Sequence, residues 1–251
     1  MVTLLPAEAF AFLLVFVRLA ALFALAPALG EQQIPVRIRV AAALGVTMLL
    51  YGTLREALPP MPDRPMMLAG LVAGEFLIGL MIAGAARILF NALNIAGTII
   101  AFQTSLASSQ QFDPTQGTQS AIFASFMSVL GVALIFATDT HLLMLDAMIG
   151  SYDVFPPGRL PPAGDFASLA VDLVARSFTL GIQMAAPFIV FGVVFNVGLG
   201  LIARLMPQLP VFFIAMPLNI FLGLLVLLIA LPAMMMWFVH VFGETLMTFG
   251  G

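Results

Sequence analysis

Cysteine and lysine are both missing from the 251 residues, only 8% of positions are charged, and the chain has a single tryptophan and two histidines. Each shortage removes a class of chemistry. Without cysteine there is no disulfide, no thiolate metal site and no cysteine nucleophile. The histidines, His141 and His240, belong to no HExxH or similar metal-ligand spacing, so neither a metal nor any other cofactor is expected. The nine basic residues, all arginine, face twelve acids, and a net charge of -3 offers no basic field for nucleic acid. No Walker loop, GxGxxG or GxSxG occurs, which leaves nucleotide binding and serine hydrolysis without a foothold. Pro27-Ala28-Leu29 and Tyr152-Asp153 superficially match two short motifs of intramembrane aspartyl proteases. The tyrosine-aspartate pair, however, reads as part of a Pro-rich loop, and the accompanying GxGD is absent. None of these enzyme classes finds support in the residues.

What remains is apolar. Hydrophobic residues make up 62% of the chain and the mean hydropathy is +1.14. A soluble domain carries about 25% charged residues, so this is a membrane protein built of helices of roughly 20 residues or longer. The first stretch lacks a basic start, carries Glu8 and Arg18, and exceeds a signal core, so it reads as a retained helix over 6–28. A polar connection, GEQQIPVRIR, leads to a helix over 40–54, and LPPMPDRP breaks the chain before 66. Arginines fall equally in these two connections, so the positive-inside rule leaves orientation open.

From 66 to 102 the chain is apolar for longer than one crossing. Gly70, Gly74 and Gly79, with Ala83, carry the small-residue spacing of close helix packing, within the chain or between subunits. Arg87, Asn91, Asn94 and Thr98 share one helical face, which continued as helix would reach Ser105 and Ser109. Intramembrane polar side chains need partners, and subunit contact is the expectation; snorkelling to an interface accounts for the arginine but not the asparagines. Then comes QTSLASSQQFDPTQGTQS, residues 103–120, the one stretch that does not fit its surroundings. Irregular polar backbone at membrane depth is tolerated only inside protein or along a wet cavity. Ser105, Leu106, Ser109, Gln110, Phe112, Asp113, Pro114 and Gly117 are therefore expected in a plug or pore loop. Phe112 either packs or acts as a gasket, and Gly117 supplies a conformation other residues resist.

An apolar segment over 121–137 ends at Thr138-Asp139, a cap for a short helix over 140–149. Residues 151–165, SYDVFPPGRLPPAGD, read as an extended connection between subdomains. The remainder reads as a hairpin of two long arms, 166–205 and 210–246, with a kink at Pro187 and breaks at Pro217 and Pro232. The expected fold is thus an all-α membrane protein of long, kinked helical hairpins with an internal polar plug loop. Broken helices bearing Arg87, Asn91, Asn94 and Asp113 also fit a secondary transporter, the alternative reading, although no inverted repeat is visible.

Taken together, the opening LLPAEAFAFLLVFVRLAALFALAPALG, IPVRIRVAAALG, GEFLIGLMIA, AFQTSLASSQQFDPTQG and RLMPQLPVFFIAMPLNI resemble the FliR family over essentially the whole chain. FliR proteins are membrane components of the flagellar type III export gate, with SctT-type counterparts in injectisomes. The resemblance implies a non-enzymatic function, as part of a pore-forming complex in the bacterial inner membrane, within the flagellar basal body. One copy of the chain would join several P and Q gate proteins, with FlhB around the cytoplasmic opening and unfolded export substrates passing through. It also implies that residues 1–150 resemble a P subunit and 166–251 a Q subunit, joined at 151–165, with 105–117 plugging the pore.

Overall fold

The computed structural model describes residues 4–106, 118–158, 163–208 and 211–250. All regular structure among them is helical: α1 Leu4–Leu25, α2 Val36–Leu54 followed by a 3-10 turn Arg55–Ala57, α3 Pro65–Phe90, α4 Ala92–Gln103, α5 Thr118–Ala137, α6 Thr140–Val154, α7 Ala163–Leu205 and α8 Val211–Gly250. Among the described residues, five helical spans are long and apolar enough to cross a membrane, or six if α5 and α6 count as one broken span. The all-α membrane fold expected from composition is the fold observed.

The helices form two compact units that do not follow chain order: residues 1–89, 135–174 and 241–251 in one, 90–134 and 175–240 in the other. In the first unit, α1 buries Phe10, Leu14, Leu22 and, in the same four-residue rhythm, Arg18. α3 turns Glu75, Ile78, Ile82 and Leu89 inward, and α6 contributes Met144, Met148, Ser151 and Tyr152. α2 lies along α1, with the rings of Phe12 and Tyr51 5.8 Å apart. Tyr51 and Arg55 both donate to the Glu8 carboxylate.

In the second unit, α4 buries Ala92, Leu93, Ala96, Gly97, Ile100 and Ala101. A Cβ at Gly97 would lie 2.8 Å from the Ala124 Cα of α5, so only glycine allows that crossing. α7 and α8 face one another around Gln183, Met184, Pro187, Ala230, Ala233, Met234 and Trp237, as a hairpin requires. Hydroxyls in the apolar helices are absorbed locally: Thr47, Thr98, Thr104, Thr179 and Thr245 each donate to the carbonyl four residues earlier. Much of α2, α7 and α8 stays uncovered, including Met48, Leu49, Val193, Val194, Leu228 and Ile229. These surfaces belong against lipid or other subunits.

Several expected boundaries move. α2 begins at Val36, not residue 40, because Pro35 caps it and the following Val-Arg-Ile-Arg continues the helix; Arg37 and Arg39 are therefore helical. α1 ends at Leu25, and Ala28 then adopts a left-handed conformation. α6 runs to Val154, five residues beyond the expected end, which puts Ser151, Tyr152 and Asp153 on a helix and shortens the connection. Tyr152-Asp153 is therefore helical, as in an intramembrane aspartyl protease motif, but the GxGD partner is missing from the sequence and Asp153 is exposed. Asp139 stands at the start of α6 but is left-handed (φ 55°) and makes no capping hydrogen bond through its side chain. Thr138 and Thr140 instead pair through their hydroxyls at 2.7 Å. Pro217 and Pro232 do not break α8, which is continuous through both. In an apolar bundle, neighbouring groups can re-satisfy the backbone that a proline frees.

Candidate functional site

The polar stretch that stood out in the sequence begins where α4 stops. Thr104 closes the helix, its backbone N–H donating to the Ile100 carbonyl at 3.0 Å and its hydroxyl to the same oxygen at 2.8 Å. Ser105 then turns the chain with φ 58°, a region that non-glycine residues enter rarely. This root is held by the hairpin of the same unit. Asn219 of α8 donates from Nδ2 to the Gln103 carbonyl (3.3 Å) and to the Ser105 hydroxyl (2.6 Å). Gly223, one turn further along α8, leaves room for Thr104: a Cβ there would come within 2.8 Å of the Thr104 Cβ. Gly192 of α7 is likewise occupied by the Gln103 side chain. Of the expected plug residues, Ser105 and Leu106 are seen here, whereas Ser109, Gln110, Phe112, Asp113, Pro114 and Gly117 lie outside the described residues. The face that was extended to Ser105 does not continue as helix, because α4 ends at Gln103.

The polar stripe divides between the two units. In the first, Arg87 donates to Glu31 at 2.8 Å, with both side chains partly exposed. In the second, Asn91 occupies the break between α3 and α4 and is exposed; its Oδ1 accepts from the Asn94 amide at 3.1 Å. Asn94 Oδ1 in turn accepts from Ser128 of α5 at 3.0 Å, and Thr98 bonds back to the Asn94 carbonyl. Each of the four residues therefore takes part in an interaction within the chain.

A third polar centre, in the first unit, was not anticipated. Arg18 and Glu75 are 0% and 1% exposed and form an ion pair, Nε to Oε2, at 2.6 Å. Arg18 also donates to the Ser151 hydroxyl (3.0 Å) and the Phe155 carbonyl (3.1 Å), and its guanidinium lies 3.8 Å from the centre of the Tyr152 ring. A carboxylate, two further acceptors and a facing aromatic ring are what let such a charge lie inside an apolar core. Glu75 also borders a cavity of about 230 Å³ lined by Met67, Gly70, Leu71, Gly74, Ile78 and Gly158. Of the packing glycines, Gly79 lies against α1, where a Cβ would be 2.5 Å from the Arg18 carbonyl oxygen. Gly74 is buried, whereas Gly70 is exposed and faces open space. The signal for this centre was available: two opposite charges on apolar helices demand partners. Ser151 and Phe155 carried no such signal, because their segment read as loop.

Among the described residues, no group of three or more histidine, aspartate, glutamate or cysteine side chains is placed to hold a metal. His141 instead lies against Phe136, and His240 stacks on Trp237.

Comparison with known proteins gives a consistent outcome. The sequence model of the family described as bacterial export proteins, family 1, matches residues 9–245. Flagellar biosynthetic protein FliR of Caulobacter vibrioides is 43% identical over 225 residues, which cover 89% of this chain and 90% of that protein. FliR of Bacillus subtilis is 29% identical over 241 residues, covering 95% and 92%. Secretion system apparatus protein SsaT of Salmonella typhimurium is 30% identical over 164 residues, covering 65% and 63%.

Proposed function

Since this chain belongs to the FliR family of bacterial export proteins and is a membrane component of the flagellar type III export apparatus, we propose that it forms, with P and Q subunits, a gated pore for unfolded export substrates. One observation carries this reading: the family match runs from residue 9 to residue 245 and so takes in the polar stretch and both arms of the hairpin. In this reading the chain enters the complex as a single copy in the bacterial inner membrane, with FlhB at the cytoplasmic opening. It moves protein without catalysing a reaction. Residues 1–150 take the P-like role and 166–251 the Q-like role, joined through 151–165.

The plug belongs to the same proposal. Residues 105–117 obstruct the lumen, and their root on Asn219 gives the obstruction a fixed point. The uncovered faces of α2, α7 and α8 supply contact area for partner subunits. Gly70, where a Cβ would meet no atom of the described residues within 4 Å, suits a neighbouring helix. Asn91, exposed at the break between α3 and α4, suits a polar contact across subunits. The transporter alternative rested on broken helices bearing Arg87, Asn91, Asn94 and Asp113; Arg87 and Asn94 are engaged within the chain, which weakens it, while Asp113 lies outside the described residues.

The test is deletion of residues 105–117 in the assembled complex. The complex should still form and should now pass small ions, measured as conductance or as dissipation of an ion gradient in vesicles. Vesicles that stay as tight as those with the intact chain would refute the plug.

A further inference from the structure

We propose that Asn219 is a release clamp: its side-chain amide holds the Gln103–Ser105 root in a strained conformation, and letting go frees the root to relax. The proposal rests on the plug reading for its consequence, though not for its geometry. A serine at φ 58° persists only where its surroundings over-determine it. Within the helix end, the Ser105 N–H bonds the Phe102 carbonyl at 3.4 Å. From α8, Asn219 brackets the turn, its Nδ2 bonding the residue before Thr104 through its carbonyl and the residue after it through its hydroxyl. Gly192 and Gly223 let α7 and α8 approach closely enough for that bracket to form.

The clamp is also incomplete. Asn219 is 5% exposed, and its Oδ1 is buried with no hydrogen-bond partner among the described residues. A buried acceptor left unpaired is a standing cost. Two unfavourable features therefore accompany the held state, the left-handed serine and the unpaired carbonyl, and both disappear if the root leaves and water reaches Asn219. An element held against two such costs is poised to move on a small input, such as displacement by a substrate entering the pore. Asn219 is thus a positioning residue for the Gln103–Ser105 root.

Because the native chain has no cysteine, Leu106→Cys introduces a unique thiol into the full-length protein within its assembled complex. The readout is its rate of modification by a membrane-impermeant maleimide. Asn219→Leu should raise that rate by roughly tenfold, as a modest change in a local opening equilibrium does. Ser105→Ala, which leaves α8 untouched, should raise it too. Adding Ser105→Gly to Asn219→Leu should bring the rate back toward the parent, since glycine takes positive φ without being held. An unchanged rate in both Asn219→Leu and Ser105→Ala would overturn the clamp. So would a rise that Ser105→Gly fails to reduce, which would mark general loosening of α8. Ion leak measured on the same preparations separates the two proposals: rates that move as stated without leak support the clamp and refute the plug.

Discussion

Replacing Glu75 by leucine tests how the first unit is held together. The substitution keeps the side chain's approximate volume but leaves Arg18, 0% exposed, as a buried charge whose remaining partners among the described residues are Ser151, the Phe155 carbonyl and the Tyr152 ring. Breaking a buried pair from one side destabilises by about 3–5 kcal/mol, because the surviving charge can neither hydrate nor pair. In a chain of 251 residues, each kcal/mol corresponds to about 2–4 °C in Tm, so a fall of the order of 10 °C is expected. Arg18→Leu should destabilise to a similar extent, because the Glu75 carboxylate it strands is only 1% exposed. The double variant Arg18→Leu/Glu75→Leu should lose less than either single one, since it strands no charge. The assay is thermal unfolding in detergent, followed by circular dichroism or by protection from aggregation. Single substitutions that move Tm by less than about 2 °C, or a double variant as damaged as the sum of the two, would refute the account of Arg18 as a charge held by its partners.

Gly79→Ala should destabilise by about 1–3 kcal/mol in the same unfolding assay, because its Cβ would meet the α1 backbone at the Arg18 carbonyl, which cannot swing away as a flexible side chain could. Gly70→Ala, facing open space, should leave the isolated chain unchanged within about 0.5 kcal/mol apart from helix propensity, and should weaken recovery of the complex if a neighbouring helix packs there. Arg87→Ala breaks a partly exposed pair and should change the stability of the isolated chain by no more than about 1 kcal/mol, while Arg87→Ala and Asn91→Leu each reduce co-purification of partner subunits. Unchanged co-purification would confine that stripe to contacts within the chain.

The sequence spoke clearly wherever composition or long periodicity decided the outcome. Apolar runs fixed the helices, LPPMPDRP fixed the break before α3, and the polarity of residues 103–120 marked the stretch whose root Asn219 now holds. It spoke poorly where tertiary partners decide. Pro217 and Pro232 looked like breaks because a proline removes a helical hydrogen bond, yet α8 passes through both. Tyr152 looked like loop because Pro156 and Pro157 follow closely, yet α6 carries it to the face beneath the Arg18 guanidinium. Arg18 was visible only as an oddity in an apolar helix. Its partners lie 57 and 133 residues away along the chain, distances over which local pattern carries no information. Gly192 and Gly223 gave no signal either, because close approach shows only when the opposing helix is in place.

The central claim, that this chain is the single-copy member of an export gate, is tested most directly by co-expressing it with the P and Q proteins of its own organism. The complex is extracted in detergent and its native mass determined. The account predicts a stable hetero-oligomer containing one copy of this chain and several of each partner. Recovery of the chain alone, as a monomer or a symmetric dimer, while the partners assemble without it, would contradict the claim.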